Sequence, residues 1–290
     1  MHLEIIHHFL YKYTNNVLLE PHIMYAYPKK SSLLKLLSFD MDVFPKPSNV
    51  VKNLDISDNI QHILYFFEPT QVLEIKVKSI IELSQFNPFS FLYLPETTHL
   101  LPFEYAQNEM LMLSPYLQKT QVTTLIEQQA RLLASQAHWN TSDFLLQLNQ
   151  YINSFQYEAR LEGDPYSPEK TLIQKKGSCR DFSVLFIVMA RALGVASRFV
   201  SGYYYTNQSQ EQTLHAWVEV YLPGGGWRGY DPTQNCLVSG NHIPLGTSAY
   251  PQMVAPLMGT YRGMSKAIFE ANVSIKEIDI KESAFFFENI

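Results

Sequence analysis

The chain has 290 residues, of which 46% are hydrophobic and 17% charged, so it can bury one large core or two ordinary ones, and disorder is excluded. A net charge of −5 without any basic stripe excludes nucleic acid as the main partner. Two cysteines are too few for a disulfide framework, and no apolar run approaches the ~18 residues of a membrane span. The first residues also lack a basic region followed by an apolar one, so the expectation is a cytoplasmic protein with reduced thiols and no membrane partner. In that compartment the sequons at Asn140, Asn207 and Asn272 carry no meaning. Aromatic residues make up 13%, which suits a well-packed sheet core and also a groove for peptide.

Residues 1 to about 110 read as β-structure. Leu3 and Ile5, then Tyr11 and Tyr13, suggest alternation, and Asn15-Asn16 is a turn signal before Val17-Leu18-Leu19. A strand over 24–27 is halted by Pro28, and 33–44 alternates imperfectly. The clearest strand is 72–77, with Leu73, Ile75 and Val77 on one face and Glu74, Lys76 and Lys78 on the other, as for a sheet with one wet face. Short strands between turns and prolines predict an antiparallel sandwich. His7-His8 has no third ligand at a metal-like spacing and is read as a surface or packing pair. Residues 86–116, punctuated by prolines at 88, 95, 102 and 115, read as a linker.

Helical spacing begins after the linker. Val122, Leu125, Ile126, Leu132 and Leu133 predict a helix over 121–136. Thr141 or Ser142 caps a second helix whose buried face carries Phe144, Leu145, Leu148, Tyr151 and Ile152. A short strand is expected at 155–157 and a short helix at 167–174. Phe182, Leu185, Phe186, Met189 and Leu193 then predict a buried helix that stops at Gly194 and starts at or near Cys179. Three strands follow, at 196–205, 215–222 and 227–230, the last two joined across Pro223-Gly224-Gly225-Gly226 and ended by Asp231-Pro232.

Three residues stand at the ends of these elements. Cys179 opens a helix, where unpaired N–H groups and the positive dipole end favour the nucleophilic thiolate. His215 opens a strand, and Asp231 closes the next one across a hairpin, so the two side chains can meet. If the helix packs on that sheet, Cys179, His215 and Asp231 form a triad of nucleophile, proton shuttle and orienting carboxylate. Each residue alone is an ordinary packing or turn residue; their joint placement carries the signal.

The segments Gly177-Ser178-Cys179-Arg180-Asp181-Phe182, Ala190-Arg191-Ala192-Leu193-Gly194-Val195, Arg198-Phe199-Val200-Ser201-Gly202-Tyr203, His215-Ala216-Trp217-Val218-Glu219-Val220, Gly226-Trp227 and Tyr230-Asp231-Pro232-Thr233 resemble the transglutaminase-like superfamily. More narrowly, they resemble its bacterial cysteine-protease-like members that carry an N-terminal β-sandwich. Residues 236–262 echo the family tail through His242-Ile243, Gly246, Tyr250 and Ala255-Pro256, with Thr247-Ser248 where many relatives carry Arg-Asp.

The resemblance implies an α+β chain: a β-sandwich over 1–112, a core of helices packed on an antiparallel sheet over 113–262, and a strand and tail over 263–290 packing back on the sandwich. The strand is expected over 272–280, with Val273, Ile275 and Ile278 alternating. It implies acyl transfer or hydrolysis on protein or peptide amides, with Cys179 attacking, His215 protonating the leaving nitrogen, and a thioester between the two halves of the reaction. The Cys179 N–H would stabilise the oxyanion, and Gln174 and Tyr157 are candidate second donors. Trp217, on the His215 face, could wall the substrate channel or simply pack. Arg180 and Asp181 are expected to hold the helix start, and Cys236 to be a passive thiol. No cofactor or metal is implied, since no acidic loop matches the calcium sites of the animal enzymes. A free sandwich edge leaves room for a homodimer. The alternative is a catalytically silent protein that binds peptide or acts as a scaffold on the same fold.

Overall fold

The structure, a computed structural model, describes residues 1–160, 163–206 and 214–279. The first 83 residues contain strands β1 (His2–Leu19), β2 (His22–Met24), β3 (Leu34–Phe44), β4 (Asn49–Leu54), β5 (Ile60–Tyr65) and β6 (Thr70–Leu83). The core follows in the order α1 (Gln107–Leu113), α2 (Thr124–Gln136), α3 (Thr141–Asn153), β7 (Gln156–Tyr157), α4 (Pro168–Gln174), β8 (Lys176–Gly177) and α5 (Cys179–Ala192). Next come β9 (Ser197–Tyr204), β10 (Leu214–Leu222), β11 (Gly226–Asp231), β12 (Cys236–Leu237) and β13 (His242–Ser248). The chain then returns through β14 (Leu257–Met258), β15 (Tyr261–Arg262) and β16 (Ala267–Glu277). The whole is α+β, with mostly antiparallel sheets.

One sandwich sheet runs β15-β1-β6-β3 with β16 also on β1, and the other runs β14-β2-β5-β4. Alternation explains their packing: Leu73, Ile75 and Val77 are buried while Glu74 and Lys76 reach solvent and pair with each other at 2.9 Å. Asn15-Asn16 does not turn the chain. β1 continues through it as an 18-residue strand whose register on β6 shifts between Lys12 and Val17. The local signal is overridden because partners distant in sequence take the polar groups: Asn15 Nδ2 donates to the Met264 carbonyl (2.8 Å) and the Thr14 amide to the Lys266 carbonyl (3.0 Å).

The expected linker contains structure of its own, including α1, and its Leu101, Tyr105 and Leu113 are buried against the core. The α3 cap is Asn140, not Thr141 or Ser142; its Oδ1 accepts from the Asp143 amide at 3.0 Å. The return strand β16 pairs with β1 along 3–13 and buries Ile275. The chain rejoins the sandwich as early as Leu257, where β14 pairs with β2, so the last residues expected in the core belong to the sandwich sheets. Residues 280–290 of the tail, and Asn207, lie outside the described residues.

The core sheet has the order β12-β11-β10-β9-β13. Helix α5 lies on one face, against Ala216, Val218, Val220 and Leu222 of β10, with α2, α3 and α4 on its other sides. Its burial is wider than the stripe read from its spacing, and Val184, Ile187 and Val188 are covered too. A helix apolar nearly all round belongs at the centre of a domain.

The opposite face of the core sheet meets the sandwich. Leu3, Ile5, Leu34, Ile81 and Leu83 pack with Tyr203, Tyr205, Ile243 and Leu245 in one shared cluster. His7 is buried in this interface, bonded through Nδ1 to the Tyr203 hydroxyl (2.8 Å); burial lowers its pKa to about 3, so it is neutral. His8 pairs instead with Glu74 at 2.8 Å.

A polar clamp fixes β13 to the sandwich. The buried Asn59 amide accepts from the Thr247 amide (2.9 Å) and Lys29 Nζ (2.9 Å), and donates to the Thr247 carbonyl (2.9 Å) and Asp55 Oδ2 (2.8 Å). The Lys29 amide also donates to the Pro244 carbonyl at 2.7 Å. Truncating Asn59 would strip the Thr247 backbone of both partners inside the protein. Asn59→Ala is therefore expected to lower unfolding stability by about 2–4 kcal/mol in urea titrations; an unchanged midpoint would show that water replaces the clamp.

Candidate active site

Helix α5 begins in a tightly bonded start. The Ser178 amide and hydroxyl donate to Asp181 Oδ2 at 2.7 and 2.8 Å. The other oxygen, Oδ1, accepts from the Tyr166 amide (2.6 Å) and Arg160 Nη2 (2.7 Å). Arg180 donates to the Gly163 and Arg160 carbonyls. Asp181 and Arg180 thus bind the approach to the helix, as their positions suggested. Gly177 is required there, because a Cβ would lie 2.7 Å from the Asp181 Cβ. Cys179 follows as the first helical residue, its amide at the end where no intrahelical acceptor exists.

The sheet delivers the other two groups. Val218 of β10 lies opposite Tyr230 of β11, which puts Asp231 at the strand end beside His215. His215 Nε2 donates to Asp231 Oδ2 at 2.6 Å. The Cys179 sulfur lies close enough to His215 and to the Tyr157 hydroxyl to raise the pKa of both. With Nε2 on the carboxylate, Nδ1 is the ring nitrogen left for the sulfur. The structure therefore brings Cys179, His215, Asp231 and Tyr157 together. Tyr157 sits there because β7 pairs in parallel with β8, setting it opposite Gly177. It is 51% exposed, whereas Cys179 is 9% exposed, so the ring forms the solvent side of the sulfur's surroundings.

The remaining predicted residues fall elsewhere. Gln174 ends α4 exposed to solvent. Trp217 is buried, its ring 6.2 Å from His215 and at 26° to it, and it borders a cavity of about 610 Å³ that His242 and Arg228 also line. Gly202, opposite His215 on β9, is bare because the Trp217 ring lies over it. Cys236 pairs with Asp231 across β12; burial and the carboxylate push its thiol up to about 12, which keeps it protonated and inert.

Sequence reasoning gave no role to His242. It opens β13 and donates through Nε2 to the same Asp231 oxygen, at 2.9 Å. The available signal was a histidine at a strand start shortly after the aspartate; the return of that strand to the site was not legible. His215, Asp231 and His242 offer three ligand atoms within 4.8 Å of one another. Zinc bonds of about 2.0–2.1 Å would hold tetrahedral ligands roughly 3.3 Å apart. The 2.6 and 2.9 Å contacts are those of hydrogen bonds, not of a ligand shell.

Electrostatics follow from burial. Burial alone would favour a neutral His215, but the Asp231 carboxylate and the Cys179 sulfur outweigh it and raise the pKa to about 10. Burial also opposes the charge on Asp231, yet the two imidazoles hold its carboxyl well below the usual range. Burial lowers His242.

A cysteine at the start of a buried helix, beside histidine and aspartate on an antiparallel sheet, defines a protein of the transglutaminase-like class. The comparisons agree. Residues 128–232, which contain all three groups, match the transglutaminase-like superfamily, and residues 3–82 match the bacterial transglutaminase-like N-terminal region. The chain belongs to this superfamily. It is 32% identical over 113 residues to an uncharacterized protein of Mycobacterium leprae, a match spanning 37% of this chain and 40% of that protein. It is 23% identical over 289 residues to an uncharacterized protein of Mycobacterium bovis, covering 93% of this chain and 91% of the other. The fold is shared with the crystal structure named "Putative Cysteine Protease" from Cytophaga hutchinsonii, with a TM-score of 0.72, 16% identity, and coverage of 96% and 92%. Among the described residues no helix is long and apolar enough to cross a membrane.

His215 has a folded pKa above the ~6.5 of an unfolded chain, so its ion pair contributes fully below about pH 6.5 and fades as pH rises towards the folded value of about 10. The stability gap between the native chain and His215→Ala is expected to be largest near pH 6 and to shrink by about pH 10, read by urea denaturation across that range. A gap independent of pH would contradict the charged pair.

Proposed function

We propose that the chain is a cysteine-dependent enzyme that hydrolyses or transfers acyl groups of protein or peptide amides through a thioester, with Cys179, His215 and Asp231 as its catalytic residues. The carrying observation is the 2.6 Å hydrogen bond from His215 to Asp231, with the Cys179 sulfur near enough to His215 to raise its pKa. The sulfur attacks the amide carbonyl, and the C–N bond breaks as the His215 imidazolium gives its proton to the leaving nitrogen. Water or an amine then attacks the thioester, passes a proton to His215, and releases the sulfur. The Cys179 amide, which has no intrahelical acceptor, is the first oxyanion donor in this reading, and the Tyr157 hydroxyl is the second donor we favour over Gln174.

Asp231 holds the His215 ring with Nε2 protonated, which leaves Nδ1 turned to the sulfur. Hydrolysis is the reading we favour over crosslinking. The two cysteines are free, which suits a reducing compartment such as the cytoplasm.

Iodoacetamide labelling near pH 6.5 tests the reading, with Cys236 as an internal reference. Cys179 is expected to label at least about tenfold faster than Cys236, and at least about tenfold faster in the native chain than in His215→Ala. Equal labelling unaffected by that substitution would instead favour a silent peptide-binding protein. Ammonia released from glutamine peptides, against new amino termini from casein, then separates side-chain chemistry from proteolysis. Tyr157→Phe is expected to cut turnover by about 10²-fold while leaving KM within about twofold, the signature of a lost transition-state donor.

A further inference from the structure

The Asp231 carboxylate is shared. Its Oδ2 faces two imidazoles, His215 Nε2 at 2.6 Å and His242 Nε2 at 2.9 Å, while Oδ1 accepts the amides of Thr233 (2.9 Å) and Gln234 (3.1 Å). A carboxylate only accepts, so both facing nitrogens carry protons. The two rings are in different surroundings. His215 has the Cys179 sulfur for its other nitrogen. The Nδ1 of His242 is buried and finds no hydrogen-bond partner among the described residues. A proton there would be an unpaired donor in the interior, so His242 is neutral, with its one proton on Nε2. Burial, which depresses its pKa, acts in the same direction.

Packing leaves the ring little freedom. Trp217 meets it edge-on at 4.9 Å between centroids and Tyr204 lies at 4.8 Å. Its strand is held on one side by β9 and clamped to the sandwich through Asn59. His242 borders a cavity of about 610 Å³ between the sandwich and the core sheet, lined also by Leu34, Phe86, Trp217 and Arg228.

We propose that His242 is a positioning residue: a neutral, fixed N–H donor from β13 that holds the Asp231 carboxylate in line with His215 and keeps it ionised, adding no charge of its own. This rests on the function proposed above. A donor on Oδ2 makes the carboxylate a weaker base, so the proton it shares with His215 stays on the imidazole. A second cation at the same place would compete with His215 for the carboxylate, and the neutral tautomer avoids that. The ionisable groups around the pair are Cys179 of α5, Tyr157 of β7, Tyr204 of β9, Glu219 of β10 and Cys236 of β12. Of these, Glu219 favours the charged form of His242, but burial is the larger effect.

The test uses the full chain. His242→Phe fills the space without a donor, whereas His242→Gln places an amide N–H where Nε2 stood. Iodoacetamide labelling of Cys179 near pH 6.5, relative to Cys236, is expected to slow about tenfold in His242→Phe and to stay within about twofold of the native rate in His242→Gln. Native labelling in His242→Phe, or equal slowing in both variants, overturns the proposal. Nitrogen-15 NMR of histidine-labelled native protein provides a readout that needs no variant to fold. The His242 ring is expected to keep a protonated Nε2 and a bare Nδ1 from about pH 5.5 to 8.5, and titration within that range or the opposite tautomer overturns the proposal. His215→Ala separates the two readings. If it leaves Cys179 labelling unchanged, the proposed function fails; if it slows labelling and His242→Phe does not, only the role of His242 fails.

Discussion

Everything at the site depends on one buried carboxylate. Asp231 is fully inaccessible, and an unpaired charge there would cost several kcal/mol. Four N–H groups from three elements offset that cost, two from the chain just after β11 and one from each histidine. The two backbone donors come with the Asp-Pro-Thr turn itself. The histidines must be brought by β10 and β13, so the sheet has to be assembled before the charge is tolerable. Geometry and electrostatics are therefore one constraint: the strands that orient His215 are those that keep Asp231 ionised.

The sandwich enters the chemistry through that constraint. Its edge does not touch the Cys179 sulfur, yet it fixes β13 through Asn59 and Lys29, and β13 carries His242. The shared apolar cluster supplies adhesion, but adhesion is non-directional and would permit sliding. Asn59 supplies registry, since both its amide groups are engaged and its carbonyl and amino ends read the Thr247 backbone in one orientation only. In this chain Thr247 serves the domain boundary through its main chain.

Local patterns were legible where local physics decides. The period-two strand around Leu73 and the helix after Cys179 follow from burial of one face, and the Gly-Ser-Cys start follows from capping chemistry. The meeting of His215 with Asp231 was legible because both sit at element ends, where side chains of consecutive strands meet. Asn15-Asn16 misled because its polar groups are taken by residues about 250 positions away in sequence, which no local reading can see. His242 was missed for the same reason: nothing in its neighbourhood says that β13 crosses back beside β9. Gln174 was offered as a donor on sequence proximity to Cys179, but the left-handed Lys175 ends α4 there and Gln174 stays in solvent. The width of the α5 burial was underestimated because the moment of a helix reports its difference between faces, not how many faces are covered.

The pairing of β16 with β1 has a consequence for the order in which the molecule is made. Strand β1 precedes the core in the chain and is flanked in the finished sheet by β6 on one side and β16 on the other. The transglutaminase-like core is thus threaded between the early and late strands of a single sandwich. The core can collapse on α5 as soon as β13 is synthesised, but the long open edge of β1 stays unpaired until residues 267–277 emerge. During synthesis that edge is the sticky part of the chain.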